Sequence, residues 1–177
     1  MVRGPFHLHP GGGRAGPEEV GARPGGRENR AMFRPRRILV PVEPSASGEA
    51  VVRSAAEMAR GFGARILLFH VFDSRAVEDV YNLHGLKEEE VRARMKANAE
   101  AMIERLLGRP WLRGLRVSTK LVYGLPPEAI VAEAEAWKAD LVVLSKRRRS
   151  GLSHLLYGRT SDAVVREAGC AVLVLTS

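Results

Sequence analysis

From Arg36 onward, short apolar runs alternate with stretches whose apolar residues recur every three or four positions. Ile38-Leu39-Val40-Pro41-Val42 predicts a buried strand with Pro41 near its end. Ser47 is the expected cap of the following helix, which carries Val51, Ala55, Met58 and Phe62 on one face and stops at Gly61 and Gly63. The run from Ile66 to Val71 predicts a second strand, and a polar connection from Asp73 to Gly85 follows it. The longest helix, Lys87 to Leu107, buries a stripe of Val91, Met95, Ala99, Met102 and Leu106.

The second half repeats the scheme. Leu115 to Tyr123 alternates apolar and polar positions, as a strand at an edge or exposed on one face does. Pro126-Pro127 opens a helix bearing Ile130, Ala134 and Trp137, because proline is tolerated in a first turn. Leu141 to Leu144 is wholly apolar, a helix runs from about Gly158 to Glu167, and Ala171 to Leu175 forms a fifth strand. Continuous apolar strands joined by helices imply an α/β fold, a five-stranded parallel sheet covered on both faces. In such doubly wound sheets ligands bind beyond the C-terminal strand ends, where strand order reverses. In the order 3-2-1-4-5 that point lies between strands 1 and 4, at Pro41, Val42 and Glu43 on one side and Ser145 to Arg149 on the other.

Charge sharpens this picture. The chain of 177 residues has a formal charge of +8, which favours anionic partners without naming them. Lys146, Arg147, Arg148 and Arg149 form a run of cations directly after the fourth strand. Thirteen of residues 1–35 are Gly or Pro, a composition that predicts a disordered tail. Six Arg against three Glu give this tail +3 and leave +5 for residues 36–177. Met32, close before the first strand, is the expected start of translation. The single Cys170 excludes an internal disulfide, and no metal site is predicted. No apolar run reaches the ~20 residues of a membrane span, so a soluble, cytoplasmic protein is expected.

Several segments along 36–176 together resemble the universal stress protein family. Ile38 to Ser45 is similar to the family's first strand, which usually ends Val-Asp-Gly-Ser. Leu68-Phe69-His70-Val71, Gly124 to Ile130 and Ala139 to Val143 match its second strand, its third helix and its fourth strand. Arg149 to Gly158 and Ala168 to Val174 match its C-terminal segments. The resemblance implies a Rossmann-like fold of the adenine nucleotide alpha hydrolase type, ATP or another nucleotide as ligand, and a homodimer joined by the last strand through Val172 and Val174. ATP-binding members carry Gly-x-x-Gly, nine residues, then Gly-Ser or Gly-Thr. The matching positions here are Ser145, Arg148, Gly158 and Arg159, with Thr160 adjacent, so one of the three glycines is present. Side chains at the first two glycine positions obstruct close approach of the backbone to ribose and phosphate. Glu43 stands where the family has an adenine-contacting Asp, and Val42 and Val71 suit the adenine side. These departures weigh against the family's usual ATP pose.

The residues therefore allow either a remodelled anion site or a vacant one, in which Glu43 pairs with Arg147 or Arg148. Neither a Gly-x-Ser-x-Gly elbow nor a Gly-Lys-Ser/Thr loop occurs, and no catalytic constellation is predicted. A non-enzymatic stress-response domain that binds a phosphorylated ligand, or acts through protein contacts, is the leading expectation. Weak ATPase or autophosphorylation activity is the first alternative. The second is a non-specific nucleic-acid-binding module using Lys146 to Arg149, the weaker because no aromatic residues interleave with that loop.

Overall fold

The computed structural model describes residues 33–84, 87–146 and 159–176. Residues 1–32 of the predicted tail (1–35) and residues 147–158 lie outside them. Five parallel strands, β1 (Arg37–Pro41), β2 (Arg65–Asp73), β3 (Arg116–Gly124), β4 (Leu141–Lys146) and β5 (Ala171–Thr176), form one sheet in the order β3-β2-β1-β4-β5. Five helices accompany them: α1 (Ala46–Phe62), α2 (Ser74–His84), α3 (Glu88–Leu107), α4 (Pro126–Ala136) and α5 (Arg159–Glu167). A single 3-10 turn, Pro110–Leu112, precedes β3.

The two faces of the sheet explain why its central strands are apolar throughout. Side chains alternate across a strand. Ile38, Val40, Ile66 and Leu68 pack with α1 and α3, while Leu39, Leu67, Phe69 and Val142 pack with α4 and with Val164 of α5. Ile38, Val40 and Val142 are fully buried, each contributing about 1.5–3 kcal/mol relative to exposure. The edge strand β3 shows the opposite pattern, with Arg116, Ser118, Thr119 and Lys120 exposed. At the N-terminal end of β1, one Asp140 carboxylate oxygen accepts the backbone N–H groups of Arg36 and Arg37, both at 2.8 Å. The Asp140 N–H in turn donates to the Arg37 carbonyl, which aligns β4 beside β1. No helix among the described residues is long and apolar enough to cross a membrane.

Several local expectations change. The polar connection after β2 contains helix α2, because Val77 inserts into the core at 1% exposure and anchors an otherwise polar segment. Ser45, not Ser47, caps α1: its hydroxyl accepts the Gly48 N–H at 3.1 Å, and Ser47 lies within the helix. Phe62, expected on the buried face of α1, ends that helix 44% exposed. In α3, Ile103 is buried and Met95 is only half-buried, since the sheet contacts the C-terminal half of that helix more closely. Trp137 is the C-cap of α4 instead of a helical residue. Gly63 ends α1 in the left-handed region (φ 67°), as glycine readily does.

Candidate functional site

The ladder between β1 and β4 stops before the C-terminal ends of the two strands. These strands pair at Ile38 with Leu141 and at Leu39 with Val142, whereas β4 stays paired with β5 through Lys146. Proline explains the split. The Val42 N–H points toward β2, donating to the Phe69 carbonyl at 2.8 Å. Backbone donors alternate sides, so the donor at residue 41 would face β4, and Pro41 has none. The two strands are thus free to diverge at the C-terminal end of the sheet.

Val42 follows β1 buried at 5% exposure, and its carbonyl lies 2.8 Å from His70 Nδ1. A carbonyl only accepts, so His70 carries its proton on Nδ1 and donates to Val42. His70 packs edge-on against Phe72, which stacks on Tyr123 of β3. The end of β1 is therefore braced from β2 and, through rings, from the sheet edge. His70 thus positions the end of β1, a role that its apolar sequence context conceals.

Beyond Val42 the chain turns tightly into α1. Half-buried Glu43 accepts the Ser45 N–H on its carbonyl at 2.8 Å. The backbone of Gly48 abuts the same carbonyl so closely that a β-carbon there would lie 2.5 Å from it. The glycine is needed for close approach, and no sequence motif singled it out. A cavity of about 240 Å³ flanks this turn, lined by Glu43, Ser45, Glu49, Met102, Arg105 and Arg109 among others. It takes no residue from β4, so it opens beside the β1–α1 turn and not between the two strands. The Arg109 and Glu49 side chains pair at 2.9 Å along its wall.

The other predicted site residues are placed as follows. Val71 is half-buried and packs with the α4 and α5 core. Ser145 is half-buried near the end of β4, in register with Leu175. Lys146 ends β4 and Arg159 begins α5, with half-buried Thr160 next to it. Pro41, Val42, Glu43 and Ser145 thus lie at or just beyond the C-terminal ends of β1 and β4. Arg147, Arg148 and Gly158 lie outside the described residues.

Titration adds one fact about reactivity. Burial, and then the charge of Asp140, raises the Cys170 thiol above its ordinary value, which favours the protonated thiol over the thiolate. Among the described residues no group of His, Cys, Asp and Glu could hold a metal ion.

The family model of the Universal stress protein family matches residues 35–176. The chain belongs to the universal stress protein family. A universal stress protein of Thermus aquaticus is 34% identical over 142 residues, covering 78% of this chain and 96% of that protein. Among solved structures, a universal stress protein of Methanocaldococcus jannaschii superposes with a TM-score of 0.69 at 23% identity, over 82% of this chain and 97% of the other. Two further universal stress proteins were solved with nucleotides. One, in complex with cAMP, matches at TM-score 0.54 and 21% identity, over 80% of this chain and 97% of its own. The other, from Archaeoglobus fulgidus in complex with dAMP, matches at 0.51 and 22%, over 78% and 95%. The universal stress protein fold therefore accounts for the described domain.

Proposed function

We propose that this universal stress protein is a non-enzymatic, cytoplasmic stress-response protein that holds an adenine nucleotide or another phosphorylated anion between β1 and β4. The observation that carries the reading is the parting of those strands at Pro41, with Glu43 at the mouth and the basic segment continuing from β4. An opening at the switch point of a doubly wound sheet is where such folds take ligands. Fold relatives in complex with cAMP and dAMP support the ligand class. Arg148 replaces a motif glycine, so a guanidinium substitutes for backbone N–H groups as the phosphate partner. The same reading includes a homodimer formed through the exposed side of β5, since an unpaired edge is a template for a second strand.

Thermal-shift titration with ATP, AMP and cAMP tests the ligand. A nucleotide at 100 times its Kd stabilises the fold by about 2.7 kcal/mol. Arg148→Ala should weaken that shift and Arg148→Gly should not restore it. Enhancement by Arg148→Gly would instead mark a decayed glycine motif, and no shift with any of the three would end the nucleotide reading. No phosphate release above background is expected in any arm.

A further inference from the structure

The end of the sheet opposite the crevice carries a second basic surface. Arg37, Arg65 and Arg116 open β1, β2 and β3 and stand in register with one another. Parallel strands lie ~4.8 Å apart, so this row extends roughly 10 Å across the sheet. Arg36 adjoins the row, since its carbonyl accepts the Arg65 N–H at 2.8 Å. Arg60, at the end of α1, donates to the carbonyls of Trp111 at 3.0 Å and Arg113 at 3.4 Å. Arg116 donates to the Gly63 carbonyl at 2.7 Å, and Arg37 to the Trp137 carbonyl at 2.9 Å.

These partners are neutral carbonyls, which hold the guanidinium groups in place without cancelling their charge. Among the described residues none of these arginines forms an ion pair with a carboxylate, whereas six other cations do. The Asp140 carboxylate at this end holds two backbone N–H groups on one of its oxygens and forms no ion pair with these arginines. Phenylalanine rings accompany the charge. Phe62, beside the carbonyl that Arg116 holds, is 44% exposed, and Phe33, which precedes Arg34, is 56% exposed. Neither ring has a ring partner among the described residues. Interleaved aromatic residues, absent from the Lys146 to Arg149 loop, are therefore present at this rim.

We infer that this rim binds single-stranded nucleic acid, with arginines on the phosphates and exposed phenylalanine rings against the bases. Arginine presents a planar fork of donors that matches phosphate oxygens. Stacking on a ring requires an unpaired base, which selects a single strand over a duplex. An acidic peptide would use the charge but leave the rings unused. The surface lies at the far end of the strands from the nucleotide crevice, so the two ligands bind independently.

Fluorescence anisotropy with the full chain and a labelled oligothymidine of roughly 12 nucleotides tests this, a length within the ~4–16 that comparable platforms cover. Arg36→Gln with Arg65→Gln removes two exposed cations of the rim whose side chains form no hydrogen bond among the described residues. This pair should weaken binding about 10-fold or more and flatten the log–log salt slope by about 1.4. Phe62→Ala should weaken the single strand about 5-fold or more and leave a duplex unaffected. Replacing Lys146, Arg147, Arg148 and Arg149 with Gln should cost less than the rim pair, and saturating AMP should not compete. Circular dichroism and melting temperatures of each variant separate lost binding from lost folding. The inference is overturned by absence of binding in low salt. It is equally overturned by affinity that follows the loop and not the rim, or by equal affinity for duplex or polyglutamate.

Discussion

Ser45 and Gly48 set the entry of the chain into α1, and each does so through one contact. The Ser45 hydroxyl satisfies the Gly48 N–H, one of the donors that a helix start leaves unpaired. Ser45→Ala should therefore cost about 1 kcal/mol in a denaturant titration. Gly48→Ala should also destabilise, although alanine favours helix by about 1 kcal/mol, because overpacking against the Glu43 carbonyl costs about 1–3 kcal/mol. Under the proposed function its second readout is weaker nucleotide binding, since the carbonyl that must move belongs to a residue of the proposed site. Asp73 shows how a charge acts at this scale. Hydrogen bonding from the Arg75 side chain holds its carboxyl below the ordinary value, with 3.1 and 2.9 Å contacts. A lowered folded value contributes stability that is present above the unfolded value of ~3.9 and lost as pH falls through the folded one. Asp73→Asn should accordingly lower the melting temperature at neutral pH, and the gap should close in strong acid, as pH falls through the folded value. A gap that persisted in strong acid would place the effect elsewhere. His70 could not be assigned from its neighbours alone. Its role lies in one hydrogen bond to a residue 28 positions away, and no local pattern encodes such a bond.

Among the elements, α2 is the one that periodicity missed. Its sequence is mostly polar, and a single valine decides its placement: Val77 reaches the core while Val80 remains 37% exposed. Val77→Ala should cost about 1.5–3 kcal/mol and speed amide exchange across α2 more than across β2. Uniform loss across the sheet would mean that the helix is not separately anchored. The strands were legible because β1, β2 and β4 are buried on both faces, a condition that demands unbroken apolar runs. Edge strand β3 was legible for the opposite reason, its polar positions remaining exposed while Val117, Leu121 and Val122 are half-buried. Capping was misplaced by two residues, since Ser45 and Ser47 are both chemically able and only the turn geometry chooses between them.

At the scale of the molecule, strand β5 has no strand neighbour on one side among the described residues. Sedimentation at micromolar concentration should return the mass of a dimer, and a single-chain mass would remove the proposed β5 contact. The same ordering puts two basic regions at opposite ends of the strands. One was visible as a run, Lys146 to Arg149, because its charges are adjacent in the chain. The other draws Arg37, Arg65 and Arg116 from positions far apart and becomes a surface only when three strands align their first residues. The order of elements and the buried strands followed from the sequence alone. Hydrophobic periodicity and chain connectivity are local properties that leave few ways to cover a parallel sheet. The parting of β1 from β4, the His70 brace, the anchoring of α2 and the arginine rim were decided by tertiary structure. Each depends on residues distant in sequence meeting across the sheet, and such meetings are set by packing of the whole domain.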